Sequence, residues 1–138
     1  MRHRSRQALP LVLSLVLVSG CGRFTRTKEC RALSKTVNEN HTAVGALADA
    51  AAPDKKAIAE HYARTAERVR TMEFSNPSLE KAAEDYATLM EDTALALDTD
   101  REMPPRTDGK PRPRPSFAVV PRRERTLVAR INALCESP

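Results

Sequence analysis

Four segments of this chain repeat apolar residues at steps of three and four, the spacing of one face of an α-helix. The first segment runs from about Lys28 to Ala51. Its stripe consists of Cys30, Leu33, Val37, Asn40, Val44, Leu47 and Ala51. No segment alternates apolar and polar residues as a half-buried strand does. The pattern predicts an all-α protein, an up-down-up-down bundle of about four helices.

The starts of the second and third helices carry recognisable signals. Pro53 and Asp54 open the second, because proline is tolerated in a first turn and aspartate suits the positive end of the helix dipole. Asn76 and Pro77 open the third as N-cap and first residue. The fourth runs from about Pro121 to Cys135. The predicted inward residues of these helices are Ile58, Tyr62, Thr65, Val69, Met72, Leu79, Ala82, Tyr86, Leu89, Thr93, Leu97, Leu127, Val128, Ile131, Leu134 and Cys135.

A proline-rich loop at residues 98–116 separates the last two helices. It holds five of the chain's ten prolines, and proline alternates with arginine over residues 111–115. Because proline restricts φ and lacks an amide hydrogen, this stretch predicts an extended arm of polyproline type. The loop belongs to a predicted bundle domain at residues 28–135, followed by a short tail at 136–138.

The first twenty residues have the layout of an export signal. Arg2, Arg4 and Arg6 form a basic head, and residues 9–18 are almost unbroken apolar sequence before the small residues Ser19 and Gly20. An apolar run of about ten residues is half of what a membrane-spanning helix needs. We therefore expect residues 1–20 to be a signal peptide that is removed.

The sequence Val18-Ser19-Gly20-Cys21 resembles a bacterial lipobox. The resemblance implies that Cys21 becomes the mature N-terminus, carrying diacylglycerol on its sulfur and an acylated amine that anchor it durably to a membrane. Residues 21–27 would then be a lipidated tether. Gly22 resembles the residue of lipoproteins sorted to the outer membrane. It implies the periplasmic face of that membrane where the organism has one, and the cell envelope in any case.

Removal of the signal changes what the net charge means. The chain carries +5, and loss of three arginines lowers it to +2, while residues 101–130 alone carry +6. The positive charge therefore lies in one segment. We expect no nucleic-acid partner, because an exported protein does not meet nucleic acid and no aromatic residues are interleaved for base stacking.

Two cysteines remain after Cys21 is assigned to the lipid. Cys30 and Cys135 form an even pair in an exported chain, where oxidation is expected. Cys30 opens the first helix and Cys135 closes the fourth, so an up-down-up-down bundle brings them to one pole. A parallel crossover would separate them far beyond the roughly 7 Å that a disulfide bridges. The predicted disulfide and the predicted topology support each other. The end of the bundle that contains this disulfide would face the membrane, because Cys30 follows Cys21 closely.

No set of residues in the sequence assembles a convincing catalytic site. Ser78 and Lys81 have the S-x-x-K spacing of penicillin-binding enzymes. The companion S-D-N and K-T-G elements are absent, about 118 mature residues are too few for that fold, and serine is common in a first turn as a cap. We expect a protein that is not an enzyme and that needs no cofactor.

Polar residues in or beside the stripes leave a second possibility. His41 and His61, with acids such as Glu39, Glu60 or Asp49, lack the spacing of a metal site and are expected to cover the edge of the core. Asn40 interrupts the first stripe and would either fix the register of the helices or bind a small ligand. The carrier alternative, a small-ligand or metal carrier, would use the bundle interior near Asn40 and His61.

The basic segment is the strongest candidate for partner binding. Its candidate residues are Arg106, Lys110, Arg112, Arg114, Arg122 and Arg123. The segment is either a solubilising linker or a docking arm for an acidic envelope partner. Acids of the third helix are expected to be mostly solvated and to receive Arg122, Arg123 or Arg125 from the fourth. The sequence thus favours a lipid-anchored envelope protein with an interaction or scaffold function.

Overall fold

The computed structural model describes residues 19–99, 109–110 and 116–136. Within these ranges the chain forms four α-helices and no strand, in the order α1 (Ser19–Ala48), α2 (Lys55–Arg70), α3 (Pro77–Leu97) and α4 (Val120–Glu136). A short 3-10 turn, Phe117–Val119, leads into α4. The fold is an all-α bundle, as the stripes predict. The signal residues 1–18, most of the proline-rich loop and the last two residues lie outside the described ranges.

The cross-helix contacts make neighbouring helices antiparallel. They pair Glu39 with Arg68, Arg70 with Glu84, Asp85 with Arg130 and Asp92 with Arg123. Between α3 and α4 the paired residue numbers run in opposite directions, since Asp85 pairs with Arg130 whereas the later Asp92 pairs with the earlier Arg123. The side chain of Arg26 near the start of α1 donates to the carbonyl of Leu134 near the end of α4. The topology is therefore up-down-up-down.

Two helices start at the residues predicted to open them: Asn76 is the predicted N-cap of α3, whereas Asp54 is an N-cap rather than a residue of the first turn, and Pro53 lies before α2. The Asp54 side chain accepts hydrogen bonds from the backbone amides of Lys56 and Ala57, and α2 begins at the next residue. Asn76 accepts from Ser78 and Leu79, with Pro77 as the first residue of α3. Both caps bind amides that have no partner within the helix, which is why the chain turns into helix at these points.

The first helix differs from its predicted bounds at both ends. It begins at Ser19 rather than at about Lys28, so the predicted tether at residues 21–27 is helical. That stretch contains no proline to interrupt the intrahelical hydrogen bonds. The helix ends at Ala48, and Ala51 is exposed beyond it rather than buried in the stripe. Pro53 disfavours helical backbone just before it, and the chain turns ahead of it.

The core is built from small and medium-sized side chains of all four helices. Leu33, Tyr86, Leu89 and Met90 are completely buried, and Ile131 is nearly so. The predicted stripes account for most of this core, although Leu97, Leu127, Val128, Leu134 and Cys135 are only partly buried. Met72 lies past the end of α2 and is also half-buried. The four helices thus surround one alanine-rich core.

One end of the bundle is closed by a covalent bond. Cys30 and Cys135 form a disulfide, with their Cα atoms 5.6 Å apart. We call this end the disulfide pole; it also contains Ser75 of the α2–α3 turn, whose amide donates to Glu29. The opposite end, the distal pole, contains the turn between α1 and α2 and the start of α4. The disulfide therefore joins the first helix to the last across the end at which α1 enters the bundle.

Candidate functional site

A buried polar cluster connects three helices at the middle of the bundle. The Asn40 side chain on α1 donates to the Tyr86 hydroxyl at 3.2 Å and to the Met90 sulfur at 3.4 Å, both on α3. The Thr65 hydroxyl on α2 donates to the Asn40 side-chain oxygen at 3.1 Å. We call these four residues the Asn40 cluster. Both ends of the amide have protein partners.

The Asn40 cluster occupies the part of the bundle interior near Asn40 in which the carrier alternative would place a ligand. Asn40 is 2% exposed and Tyr86 is completely buried. Burial raises the pKa of the Tyr86 phenol well above its ordinary range, and the nearby Glu124 charge adds to that effect. The phenol therefore stays protonated across the physiological range. These contacts match the register role that the sequence allowed for Asn40.

A groove lies beside the cluster, between α1 and α4. It has a volume of about 410 Å³ and is lined by His41 on α1 and by Glu124 and Arg125 on α4, with Val37 and Val128 below them. Burial raises the pKa of the Glu124 carboxyl, and the His41 charge opposes that shift. Burial also raises the pKa of Tyr62 to about 12, with Glu124 contributing. We call this site the α1–α4 groove.

Sequence reasoning missed Glu124, although the spacing contained a signal. Glu124 precedes Val128 by four residues and Ile131 by seven, so it falls on the inward stripe of α4. The structure leaves its side chain half-buried, whereas a glutamate on a solvated face would be exposed.

The two histidines considered as metal ligands lie on different helices and in different surroundings. His41 is exposed in the α1–α4 groove and His61 is half-buried on α2. The His61 Nε2 atom is buried without a hydrogen-bond partner, and desolvation, helped by the Arg64 charge, lowers the pKa of its imidazole. Across residues 19–99, 109–110 and 116–136, no group of three or more His, Cys, Asp or Glu could hold a metal ion.

The acids named with the histidines are occupied or exposed. Glu39 binds Arg68 at 2.7 Å, and its pKa is lowered chiefly by that hydrogen bond. Glu60 lies 3.7 Å from Arg64 on the same helix. Asp49 is exposed in the turn after α1. These carboxylates therefore belong to surface ion pairs and turns.

Ser78 and Lys81 lie in the surroundings expected for a helix start. The Ser78 amide donates to Asn76, and its side chain is exposed. Lys81 forms an exposed i,i+4 pair with Asp85, at 3.6 Å. Within the described chain, the structure gives Ser78 no base that would activate its hydroxyl.

Three of the six predicted partner-binding residues lie among the residues that the structure describes. Arg106, Arg112 and Arg114 lie outside the described residues, and Lys110 is exposed. Arg122 and Arg123 lie in the first turn of α4, at the distal pole. Arg123 is 3.8 Å from Asp92, as the sequence allowed, and Arg122 is exposed.

The acidic residues of α3 are less solvated than the sequence suggests. Asp92 is 7% exposed and therefore buried, which corrects the expectation of a solvated face at this position. Arg70 of α2 binds both Glu84 and Glu91, at 3.1 and 2.9 Å. Arg130 binds Asp85 at 3.2 Å, a pairing that the sequence did not indicate. Most of the α3 acids are thus neutralised by arginines on either side.

The predicted lipidation residue lies at the start of the first helix. Cys21 is in the first turn of α1, about 14 Å along the helix axis from Cys30 at 1.5 Å per residue. Among the described residues, no helix is both long and apolar enough to cross a bilayer. No family model, curated protein or solved structure matches this chain.

Proposed function

We propose that this protein is a bacterial lipoprotein that works as a non-enzymatic interaction or scaffold module of the cell envelope. The single observation that carries the proposal is the lipobox-like sequence ending at Cys21, directly after an apolar export signal. The disulfide between Cys30 and Cys135 supports it, because disulfides persist in exported proteins. Gly22 favours the periplasmic face of an outer membrane where one exists.

The helical course of α1 suggests how an anchored bundle would stand on the membrane. Cys21 and Cys30 lie on one continuous helix, so lipid on Cys21 would attach to a stiff element rather than to a flexible tether. The disulfide pole would face the bilayer. The distal pole would lie about 27 Å beyond Cys30, since 18 residues separate Cys30 from Ala48 at 1.5 Å each.

The surface available to a partner would then be the distal pole. Arg122 and Arg123 lie there in the first turn of α4, and the basic segment to which they belong also contains Arg106, Arg112 and Arg114. At physiological salt, charges act over a Debye length of about 8 Å, so this surface is too far away to bind the protein's own membrane. We propose an acidic envelope protein or anionic envelope polymer as the partner.

Lipidation is tested by mass spectrometry of the protein from its native membranes. We expect a mature chain that begins at Cys21 and carries diacylglycerol and a third acyl chain. The Cys21→Ser variant should lose the lipid and leave the membrane fraction. An unmodified wild-type chain with a different N-terminus would contradict the lipoprotein proposal.

Partner binding is tested with two charge-matched variants. The first replaces Arg106, Lys110, Arg112 and Arg114 with glutamine, and the control replaces Lys28, Arg31, Lys35 and Arg64, which are exposed elsewhere. We expect cross-linked partners in the native envelope to be lost from the first variant and kept by the control. Equal partner sets in both would make the basic segment a solubilising linker.

A further inference from the structure

Glu124 differs from the other acids of the bundle that lie against a neighbouring helix. Asp85, Glu84 and Glu91 each have an arginine within 3.2 Å. Glu124 is half-buried, yet among the described residues it has no hydrogen bond and no ion pair. Its electrostatic neighbours are His41 on α1, Tyr62 on α2 and Tyr86 on α3, and Arg125 follows it on α4.

A half-buried carboxylate without an ion pair has a folding cost, which the His41 charge offsets only in part. Desolvation favours the neutral form, and the raised pKa of Glu124 records that cost. Glutamine would fill the same space without it. Perturbed carboxyls in clefts mark functional sites more often than solvated ones do. The carboxylate therefore calls for a partner that none of the described residues supplies as an ion pair or hydrogen bond.

The α1–α4 groove has the lining of a site for one positive charge on an apolar stem. Its floor contains the buried Val37 and the half-buried Val128, and Ala129 adds a small side chain. Asn38 and Asn132 also line the groove, and an amide oxygen is a group that accepts hydrogen bonds from an ammonium group. An anion placed beside the half-buried Glu124 would be repelled by its carboxylate, whereas the cationic side chains of the groove, His41 and Arg125, are exposed.

The cationic groups of the groove limit how many charges a ligand carries. His41 and Arg125 both line the groove, so a second positive charge on the ligand would meet repulsion. A monocation places its charge against Glu124 and its carbon chain against the valines. Charge complementarity thus selects a monoamine over a polyamine.

We propose that the α1–α4 groove binds a small organic monocation, an ammonium group on an aliphatic or aromatic stem, with Glu124 as its counter-ion. This site shares no residue with the predicted partner-binding set of Arg106, Lys110, Arg112, Arg114, Arg122 and Arg123. It therefore goes beyond the anchoring and partner binding proposed above, and either can fail without the other.

The test uses butylammonium as the probe and the mature full-length protein, followed by titration with two-dimensional NMR. Backbone signals of residues 37–41 and 124–132 should shift together with one saturating curve. Glu124→Gln should weaken binding by at least about tenfold, since a charge-assisted contact is worth one power of ten or more. Glu67→Gln removes an exposed carboxylate of α2 and should bind as the wild type does.

Two further measurements separate a cation site from an apolar groove. Butanol has the same stem without the charge, and we expect it to bind at least about tenfold more weakly than butylammonium. Ala129→Leu should block the probe while keeping Glu124. Equal binding of butanol and butylammonium, or equal binding by Glu124→Gln and wild type, would overturn the proposal. So would unchanged binding by Ala129→Leu, or no saturable shift at residues 37–41 and 124–132.

Discussion

Asn40 links three helices through the hydrogen bonds of its side chain. Its amide lies among apolar side chains at 2% exposure and is bonded to Tyr86, Met90 and Thr65. Burying an amide without hydrogen-bond partners lowers the stability of the fold. With partners, the amide fixes the register of the helices, because sliding one helix along another would separate the bonded atoms. The Asn40 cluster therefore selects one register among the many that an alanine-rich core would accept.

Replacing Asn40 with alanine should lower the free energy of unfolding by about 2 kcal/mol. The loss leaves the Thr65 hydroxyl without its bonding partner in a dry interior and opens a small cavity. Asn38→Ala changes the same residue type on an exposed part of the same helix and should cost less than about 0.5 kcal/mol. Urea denaturation of the three proteins measures both effects, and equal losses in both variants would remove the special role of Asn40.

Glu124 makes the stability of the bundle depend on pH in a defined direction. Burial raises its pKa above the ordinary value of 4.5. The folded state then holds this proton more tightly than the unfolded state, so the stabilisation from protonation is lost as pH rises through the folded-state pKa. Glu124→Gln stays neutral. It should raise the free energy of unfolding near pH 7 and leave it unchanged near pH 3, where both states of the wild type are protonated.

The measurement is urea denaturation of wild type and Glu124→Gln at both pH values, with Glu67→Gln as a control. The exposed Glu67 should give no difference at either pH. A Glu124→Gln variant that is less stable than wild type near pH 7 would contradict the assigned direction of the pKa. The same series also reports whether the variant folds, which the binding test requires.

The sequence predicts that Asn40 is buried but not which groups bind it. Helical spacing places Asn40 on the stripe of α1, and that needs only local information. Its partners are 25, 46 and 50 residues away along the chain, and their positions follow from the packing of whole helices. The half-buried position of Glu124 was missed because a charged residue is usually expected to face solvent. Its spacing from Val128 and Ile131 places it on the inward stripe of α4.

At the scale of the helices, the N-caps are the positions where the local sequence acts most directly. Asn76→Ala should lower the free energy of unfolding by about 1 kcal/mol, because the amides of Ser78 and Leu79 lose their acceptor. Asn76→Asp keeps an acceptor oxygen and adds a favourable charge at the helix start, so it should remain close to wild type. Thermal unfolding followed by circular dichroism distinguishes the two, and equal losses would show that the cap contributes little.

Helix starts with caps were predicted closely, as were the ends of α3 and α4, whereas both ends of α1 were not. The starts of α2 and α3 follow from Asp54 and from Asn76 with Pro77, which bind specific amides. At the end of α1, the alanines around Ala48 favour helix without marking a stop. The early start of α1 was missed because residues 21–27 were interpreted through the lipid anchor rather than through their compatibility with helix.

At the scale of the whole molecule, many charged side chains of α3 and α4 form ion pairs with a neighbouring helix. Charges in such pairs are less available to bind a partner. Arg123 and Arg130 face acids of α3, and Arg70 of α2 binds two more. Each exposed pair contributes less than about 1 kcal/mol and is screened by salt. The positive charge free to attract a partner is therefore smaller than the +6 of residues 101–130.

The disulfide is the only covalent link that the described chain has between its first and last helices. It closes a loop with a sequence separation of 105, which stabilises the fold by up to about 4 kcal/mol by restricting the unfolded chain. For a small bundle, whose total stability is about 5–15 kcal/mol, that is a large share. Reduction should therefore shift the urea midpoint strongly to lower concentration.

The matched control is the Cys30→Ala, Cys135→Ala double variant, in which the same reductant has no bond to break. We expect this variant to be as unstable as the reduced wild type and to be indifferent to the reductant. A reduced wild type as stable as the oxidised protein would mean that the noncovalent contacts of α1 hold it in place alone. The Arg26–Leu134 hydrogen bond and the Asn40 cluster supply those contacts at two levels of the bundle. We expect the reduced protein to have a lower free energy of unfolding even with these contacts, because neither of them restricts the unfolded chain as the disulfide does.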